Sequence, residues 1–332
     1  MNPAFTNIGK SVQAIARAKM SDGDHSPFDI ISQDFNYNAE VSAITRAITK
    51  APVTPVNNDN YGDVTSMGRD RFVSAIVEPS IIGRMNGVAR VPMNTRVNAM
   101  TTAPAADFVG QGAPMPASAP SGDGFTLVPL KIAGLIAFTE ELVNSSDEAA
   151  ANFIGTQLAG AARRALDIAV FDPANAGTAD VKPASITNGL TAVTGTANAK
   201  NDIRSLIAGY EGDIETASFI ARPETLAYLA SEGFDASAND IAGIPAFASR
   251  AIPTTGGRHV ALVDGAGLAF AANDARVRVS LDTAIAPSDD PENETDMVSM
   301  FQDGSVAVAV SLFTNWQQMR SNSVAILSGA TW

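Results

Sequence analysis

Apolar residues recur at intervals of three and four near the start of the chain, as they do along one face of a helix. Ile8, Val12 and Ile15 predict a short amphipathic helix, and a second helix is expected from about Asn38 to Lys50. Two short helices without a strand cannot build a core. We therefore expect this arm (residues 1–65) to lie on the body of the chain or on a neighbouring subunit.

Alternation of apolar and polar residues replaces the helical period between residues 88 and 139. One segment begins at Val88 and the other at Phe125, and together they predict a long two-stranded ribbon. Residues 103–124, at its tip, contain four prolines and four glycines. So long an irregular segment usually has a function. Because an isolated hairpin is barely stable in water, this one needs a partner surface.

The strongest helical pattern covers residues 147–171. Ser145 and Glu148 stand three apart and predict a capping box, and Asp172-Pro173 ends the helix. About 25 residues at about 1.5 Å each span roughly 37 Å. Alanines and glycines along this spine helix allow a close approach by another element.

Helices and strands alternate in the remainder of the chain, from residue 183 to residue 332. The helices are expected at 201–210 and 224–233, with a buried strand from Thr216 between them. Further strands are predicted near residues 260–263, 268–272, 277–281, 297–301, 305–312 and 323–327. This pattern predicts an α+β fold.

Composition excludes several classes of protein. The chain has no cysteine and two histidines, which excludes disulfides, thiolate metal sites and a polyhistidine zinc site. The net charge is −13, and it arises entirely within residues 136–332, which carry 11 basic and 24 acidic residues. A protein that binds nucleic acid through its folded body normally has a net positive charge there. No apolar stretch has the length of a signal peptide core or a membrane span, so we expect synthesis in the cytoplasm and no membrane partner.

Candidate chemistry is sparse. Glu140 and Glu141 form an acidic pair at the end of the ribbon, but neighbouring strand residues face opposite ways, and a salt bridge to Arg84 or Arg90 is favoured. The acidic segment 288–296 lacks the EF-hand glycine, which favours a solvated loop over a cation site. We expect no catalytic residue, cofactor or metal.

The order of these parts along the chain is similar to that of a known protein family. The relevant segments begin at Phe108 (FVGQGAPMPASAPSGDGFTLVPLKIAGLIAFTEEL), Ala162 (ARRALDIAVFD), Phe219 (FIARPETLAYL), Ile241 (IAGIPAFASRAIPTTGGRHVALVD) and Phe301 (FQDGSVAVAVSLFTNWQQMRSNSVAIL). Over roughly residues 66–332 the chain resembles the tailed-bacteriophage major capsid proteins with the Hong Kong 97-like fold.

The resemblance implies a division of the chain and a set of partners. The implied parts are an N-terminal arm (1–65), the first part of a peripheral domain (66–90), an extended loop (91–130), the peripheral domain with its spine helix (131–182), an axial domain (183–303) and return strands (304–332). It further implies hexamers and pentamers that close into an icosahedral shell, with a portal protein, a scaffolding or decoration protein, and non-specifically held double-stranded DNA.

Assembly residues are expected on the extended loop and near the spine helix. They are Phe108, Gly110, Gly112, Met115, Glu140, Glu141, Arg163 and Arg164. Some family members cross-link subunits through a lysine on the extended loop. Residues 91–130 contain no lysine here, and Met115 stands about where it would fall, so we expect no such bond. With a 65-residue arm after Met1, a fused scaffolding segment is not evident.

Two alternatives are open. An encapsulin-type shell around cargo enzymes has the same fold, although the long arm and long loop favour the virus. An α+β hydrolase or ligand-binding enzyme that uses His259 belongs to a different class. Basic residues that could contact DNA are Lys10, Arg17 and Lys19 on the first helix and Arg163 with Arg164 on the spine helix, unless these arginines pair with Glu140 or Glu141.

Overall fold

The computed structural model describes most of the chain. The described residues are 3–21, 24–35, 38–49, 70–100, 108–109, 122–145, 147–234, 240–253, 256–286, 297–320 and 322–332. The linker predicted after residue 50, most of the loop tip and the acidic segment 288–296 lie outside them.

In the described part of the chain, all of the predicted helices are present, together with four that the sequence did not predict. The helices are α1 (Pro3–Met20), α2 (Pro27–Asp34), α3 (Ala39–Thr49), α4 (which includes 70–77), α5 (Ile81–Arg84), α6 (Glu140–Asn144), α7 (Glu148–Phe171), α8 (Ala199–Ala208) and α9 (Pro223–Ser231). The additions are α2, α4, α5 and α6, and α2 lies where a turn was expected. Ser26 caps it and Asp29 completes a capping box, so the polar residues that suggested a turn begin a helix.

The strands are short except for three. They are β1 (Ala89–Arg90), β2 (Arg96–Met100), β3 (Gly122–Thr126), β4 (Leu130–Thr139), β5 (Val193–Thr194), β6 (Ala217–Ala221), β7 (Asp240–Ile241), β8 (Ile244–Ala248), β9 (Arg258–Asp264), β10 (Leu268–Ser280), β11 (Ala284–Ile285), β12 (Val298–Ser299), β13 (Ser305–Gln318) and β14 (Val324–Ala330). The two strands expected at 268–272 and 277–281 are one continuous strand, β10.

The chain divides into two compact units. Unit 1 contains residues 1–79, 131–165 and 273–313, and unit 2 contains residues 80–130, 166–272 and 314–332. The cuts fall within α7, β10 and β13, so these elements have a part in each unit.

In unit 1, the arm has a core of its own. Ala14 and Ala18 of α1 pack with Ile30 and Ile31 of α2 and Val41 of α3. Ile8, Val12 and Ile15, which predicted the first helix, are all buried. The arm therefore lies on the body of its own chain, as the sequence predicted, because α6 and α7 lie against α1. The sequence did not predict α2, which supplies further apolar surface to the arm.

In unit 2, six strands form the central sheet in the order β5-β14-β9-β6-β8-β7. All five residues of β6 are buried, as its apolar sequence predicted. Leu206 of α8 and Leu229 of α9 pack against Phe219 and Leu262 in the core of this sheet. A four-stranded sheet has the order β1-β10-β13-β4. The expected return segment 304–332 is thus split, with β13 in this sheet and β14 in the six-stranded one.

The predicted ribbon over 88–139 is only partly correct. β2 and β3 form an antiparallel hairpin, with Arg96 opposite Thr126 and Met100 opposite Gly122. β1 pairs with β10 instead, and β4 joins the four-stranded sheet beside β13. Apolar and polar residues alternate along β4 because this edge strand has one exposed face. A strand of an isolated hairpin has the same pattern, so the sequence cannot distinguish the two.

Candidate assembly surfaces

The tip of the hairpin β2–β3 presents an aromatic side chain to solvent. Phe108 is fully exposed and Val109 is partly exposed. The other loop residues expected to take part in assembly, Gly110, Gly112 and Met115, lie outside the described residues. A single exposed apolar side chain is normal on a protein surface, so the assignment of Phe108 to a subunit contact remains a prediction.

Glu140 and Glu141 do not end a strand, as the sequence suggested. They form the first turn of α6, whose N-cap Thr139 accepts a hydrogen bond from the Leu142 amide. Two carboxylates at this position suit the positive end of the helix dipole. The expected salt bridge to Arg84 is absent from the described part of the chain, where the Arg84 guanidinium lies 4.6 Å from the ring centre of Phe247.

Arg163 and Arg164 lie on the spine helix α7. Arg164 is exposed and Arg163 is half-buried. Among the ion pairs of the described residues, neither arginine pairs with Glu140 or Glu141. The alternative in which these arginines form salt bridges with Glu140 or Glu141 is therefore not observed among the described residues.

The basic residues of α1 are engaged within the subunit. Lys10 lies 3.8 Å from Glu148, and Arg17 pairs with Asp34 at 2.6 Å. Arg17 also donates to the carbonyl oxygen of Ser145 at 2.7 Å, and Lys19 donates to the carbonyl oxygen of Val279. Their positive charge thus contributes to holding the arm on its own unit.

The start of α7 differs from the predicted capping box. Ser145 accepts a hydrogen bond from the amide of Asp147 instead of that of Glu148. The carboxylate of Asp147 accepts from the amide of Ala149 at 3.0 Å and is the N-cap. The helix therefore begins at Glu148, one residue after the expected start.

The close approach to α7 that its small residues predicted is made by α1, a partner that the sequence did not identify. A Cβ atom on Gly155 would lie 2.8 Å from the carbonyl carbon of Phe5 and 3.1 Å from the nitrogen of Gly9. A Cβ on Gly9 would in turn lie 2.9 Å from the Cα of Ala151. Glycine on both helices is what permits their backbones to touch. The only sequence signal was the general abundance of small residues on α7.

An aromatic cluster closes the core of unit 2. Trp332 stacks on Tyr228 with 5.3 Å between ring centres, and its indole N–H donates to Asp202 at 2.8 Å. Burial by itself would raise the pKa of Asp202, but hydrogen bonds from the amide and hydroxyl of Thr196 and from Trp332 outweigh it and lower the pKa. Asp202 is therefore ionised and structural.

A shallow apolar groove lies on unit 1. It has a volume of about 460 Å³ and is lined by Leu135, Ile285 and Met297 among others. Leu135 and Met297 are more than half exposed.

The described residues contain neither a metal-binding cluster nor a membrane-spanning helix. No three histidine, aspartate or glutamate side chains converge there as metal ligands. No helix in the same part of the chain has the length and apolar character needed to cross a membrane.

Comparison with known proteins gives concordant matches. The model of the phage capsid family matches residues 64–312. The capsid polyprotein of Pseudomonas phage PAJU2 is 29% identical over 328 residues, an alignment that covers 88% of this chain and 49% of the relative. The chain therefore spans about half the length of that curated relative.

Solved structures from phages match the fold. A structure from Gordonia phage Cozz is 18% identical, and the alignment covers 75% of this chain and 86% of that chain with a TM-score of 0.50. A structure from Mycobacterium phage Adephagia is 17% identical, with coverages of 84% and 98% and a TM-score of 0.48. The α+β, Hong Kong 97-like fold implied by the sequence resemblance is confirmed. Since the family model spans more than half of its length, the chain belongs to the phage capsid family.

Proposed function

We propose that the chain is the major capsid protein of a tailed phage, which assembles as hexamers and pentamers into an icosahedral shell around double-stranded DNA. Membership of the phage capsid family is the observation that carries this proposal. We further propose that the protein is located in the virion and is synthesised in the cytoplasm of the bacterial host.

Exposed apolar groups support assembly through contacts between subunits. Phe108, Leu135 on β4 and Met297 before β12 are exposed apolar side chains. Leu135 and Met297 line one groove, and contiguous exposed apolar surface of this kind marks interaction sites. We propose that neighbouring copies cover this surface.

The charge distribution supports enclosure of DNA without tight binding. The net charge of −13 repels phosphate, and the basic groups of α1 are engaged within the subunit. Arg163 and Arg164 on α7 are the basic pair that we propose for contact with packaged DNA. A portal protein and a scaffolding or decoration protein complete the set of proposed partners.

The named domains also belong to this proposal. We assign the arm to 1–65, the extended loop to 91–130, the peripheral domain to 66–90 and 131–182, the axial domain to 183–303 and the return strands to 304–332. The role is structural rather than enzymatic. An encapsulin-type shell is not favoured, because the family and the curated relative are those of phages.

The test is assembly of the purified full chain, observed by electron microscopy and sedimentation. We expect closed particles or capsomers from the parent chain. A chain that remains a 34.3 kDa monomer at every concentration would contradict the proposed function.

A pair of variants tests the part played by the hairpin. Phe108→Asp places a charge on the exposed tip and should abolish assembly, because the charge would be buried against a neighbour. Phe108→Leu keeps an apolar side chain at the same position and should assemble. If Phe108→Asp assembles as the parent does, the hairpin tip is not a subunit contact.

A further inference from the structure

The six-stranded sheet of unit 2 has a basic end. β6 and β8 are parallel and both finish there, while β9 starts there. Arg222 follows β6, Arg250 follows β8, and Arg258 begins β9. Glu224 is the one acidic group described in the cavity at this end, and it lies 3.6 Å from Arg222.

The electrostatics of Glu224 reflect this basic surrounding. A hydrogen bond from its own backbone N–H is the largest cause that lowers its pKa, and the charges of Arg222 and Arg250 lower it further. The carboxylate of Glu224 thus faces two arginines, and with Arg258 the three arginines at this end outnumber Glu224 and the ionised Asp202 beside Trp332.

The opposite end of the same sheet is acidic. The loop before β6 carries Glu211, Asp213 and Glu215, all exposed. The nearby Arg320 is already paired with the buried carboxylate of Asp264 at 3.5 Å. Burial, together with the carboxylates of Asp264 and Asp213, raises the pKa of Tyr210 far above its usual range, so this phenol adds no positive or negative charge.

The two ends cannot neutralise each other within one subunit. β6 has five residues, which at about 3.3 Å each hold the ends about 17 Å apart. The Debye length at physiological ionic strength is about 8 Å, so the attraction across the sheet is screened. The charge at each end is therefore not neutralised by the other end and can attract another molecule.

The basic end has a cavity with oriented donors. Its volume is about 610 Å³, and Arg222, Arg258 and His259 contribute to its lining. The Arg258 guanidinium is fixed over the rings of Tyr228 and Trp332, at 4.4 and 5.3 Å from their centres. The Nε of Arg222 is the atom that lies 3.6 Å from Glu224, and its Nη1 donates to the carbonyl oxygen of Ile252 at 3.0 Å. Among the described residues, the buried Nη1 of Arg258 has no hydrogen-bond acceptor.

We propose that the acidic loop 211–215 of one copy docks on the basic end of the next copy, around Arg222, Arg250 and Arg258. Guanidinium groups form strong hydrogen bonds with carboxylates, and this chain supplies exposed carboxylates at the opposite end of the same sheet. Two different, complementary surfaces on opposite ends of one unit make a head-to-tail contact, which forms a ring when the rotation between copies closes and an open filament when it does not. The inference rests on the proposed function, since such a ring is a capsomer.

Charge reversal tests the contact. The acid-end variant (Glu211→Lys with Glu215→Lys) has two basic ends, and the basic-end variant (Arg222→Glu with Arg250→Glu) has two acidic ends. Each should form capsomers about tenfold or more slowly than the parent, because like charges now meet. Combining all four substitutions in one chain restores complementarity and should restore assembly. Arg204→Glu, an exposed position within α8, is the control and should assemble normally.

Mixing the two reversed variants gives a sharper test. Their opposite ends complement each other only in strict alternation, which a ring of six permits and a ring of five does not. The mixture should therefore give hexamers, sheets or tubes, but few closed shells. Electron microscopy of the mixture, with circular dichroism of each variant to establish that it is folded, supplies the measurement.

The possible results separate this contact from the proposed function. If the parent forms particles and the folded reversal variants assemble at the parent's rate, the head-to-tail contact is wrong and the capsid function stands. If the four-fold variant is folded but does not assemble, the contact is likewise wrong. If the parent itself forms no particle, the proposed function fails first.

Discussion

Substitution of Gly155 by alanine tests the crossing of the arm on the spine helix. The added Cβ would lie 2.8 Å from the carbonyl carbon of Phe5, and the oxygen of that carbonyl is nearer still. Ordinary van der Waals contact begins at 3.4 Å. Because both partners are backbone atoms of helices, no side chain can rotate away, and α1 must shift from α7 by roughly 1 Å or more.

The magnitude follows from the two ways in which the strain can be relieved. Complete release of α1 would expose Ile8, Val12 and Ile15, each worth about 1.5–3 kcal/mol of burial. A shifted but docked helix costs about 1–3 kcal/mol, as is usual for overpacking. The second is the smaller cost, so we expect Gly155→Ala to lower the free energy of unfolding by about 1–3 kcal/mol while α1 stays docked.

Gly160→Ala is a matched control on the same helix. There the nearest atom is the terminal Nη1 of Arg164 at 3.4 Å, which can move. Alanine has a higher helix propensity than glycine by about 0.8–1 kcal/mol, so this variant should be neutral or more stable. The same chemical change thus has opposite effects at two positions five residues apart.

Thermal unfolding of unassembled subunits, with hydrogen exchange of the α1 amides, measures the difference. Gly155→Ala should lower the melting temperature and the protection of α1, and Gly160→Ala should do neither. Equal stability of the two variants would refute the argument that α1 and α7 touch through backbone at Gly9 and Gly155.

Four further predictions concern covalent cross-linking, the stability provided by Trp332, the pH dependence that arises from Asp202, and contact with DNA. Since residues 91–130 contain no lysine, boiled particles in detergent should run as one band near 34 kDa on a denaturing gel, and a ladder of larger bands would contradict this. Trp332→Phe removes a donor to the buried Asp202 and should cost about 1–3 kcal/mol by denaturant unfolding. The lowered pKa of Asp202 means that its stabilisation is complete above about pH 4 and is lost as the pH falls through the folded pKa, a loss that Asp202→Asn should abolish. Arg163→Gln with Arg164→Gln should reduce the salt dependence of DNA retention by roughly one unit of log–log slope per lost contact, whereas failed assembly with unchanged retention would make both arginines structural.

Some features of the candidate surfaces were within reach of the sequence and others were not. The exposed Phe108 could be anticipated, because it stands in a long irregular loop where no core is available. The position of Glu140 and Glu141 could not be predicted. Whether these two residues extend a strand or begin a helix depends on the N-cap at Thr139 and on the neighbouring segment at Gly304, whose carbonyl oxygen accepts from the Glu140 amide. The sequence did not reveal that the six-stranded sheet of unit 2 has one basic end and one acidic end, because the residues that meet at each end are distant from one another in the sequence.

What the sequence determined by itself was local. The period of apolar residues set the positions of α1, α3 and α7, and continuous apolar runs set the buried strands β6 and β9, because these patterns depend only on which neighbours share a face. Only the tertiary structure decided which strands pair, that β4 leaves the hairpin for a sheet with β13, and that α1 crosses α7 at Gly9 and Gly155. Pairing and crossing are contacts between residues far apart in the chain, and many alternatives satisfy the same local pattern; the choice among them is made by the packing of the whole core.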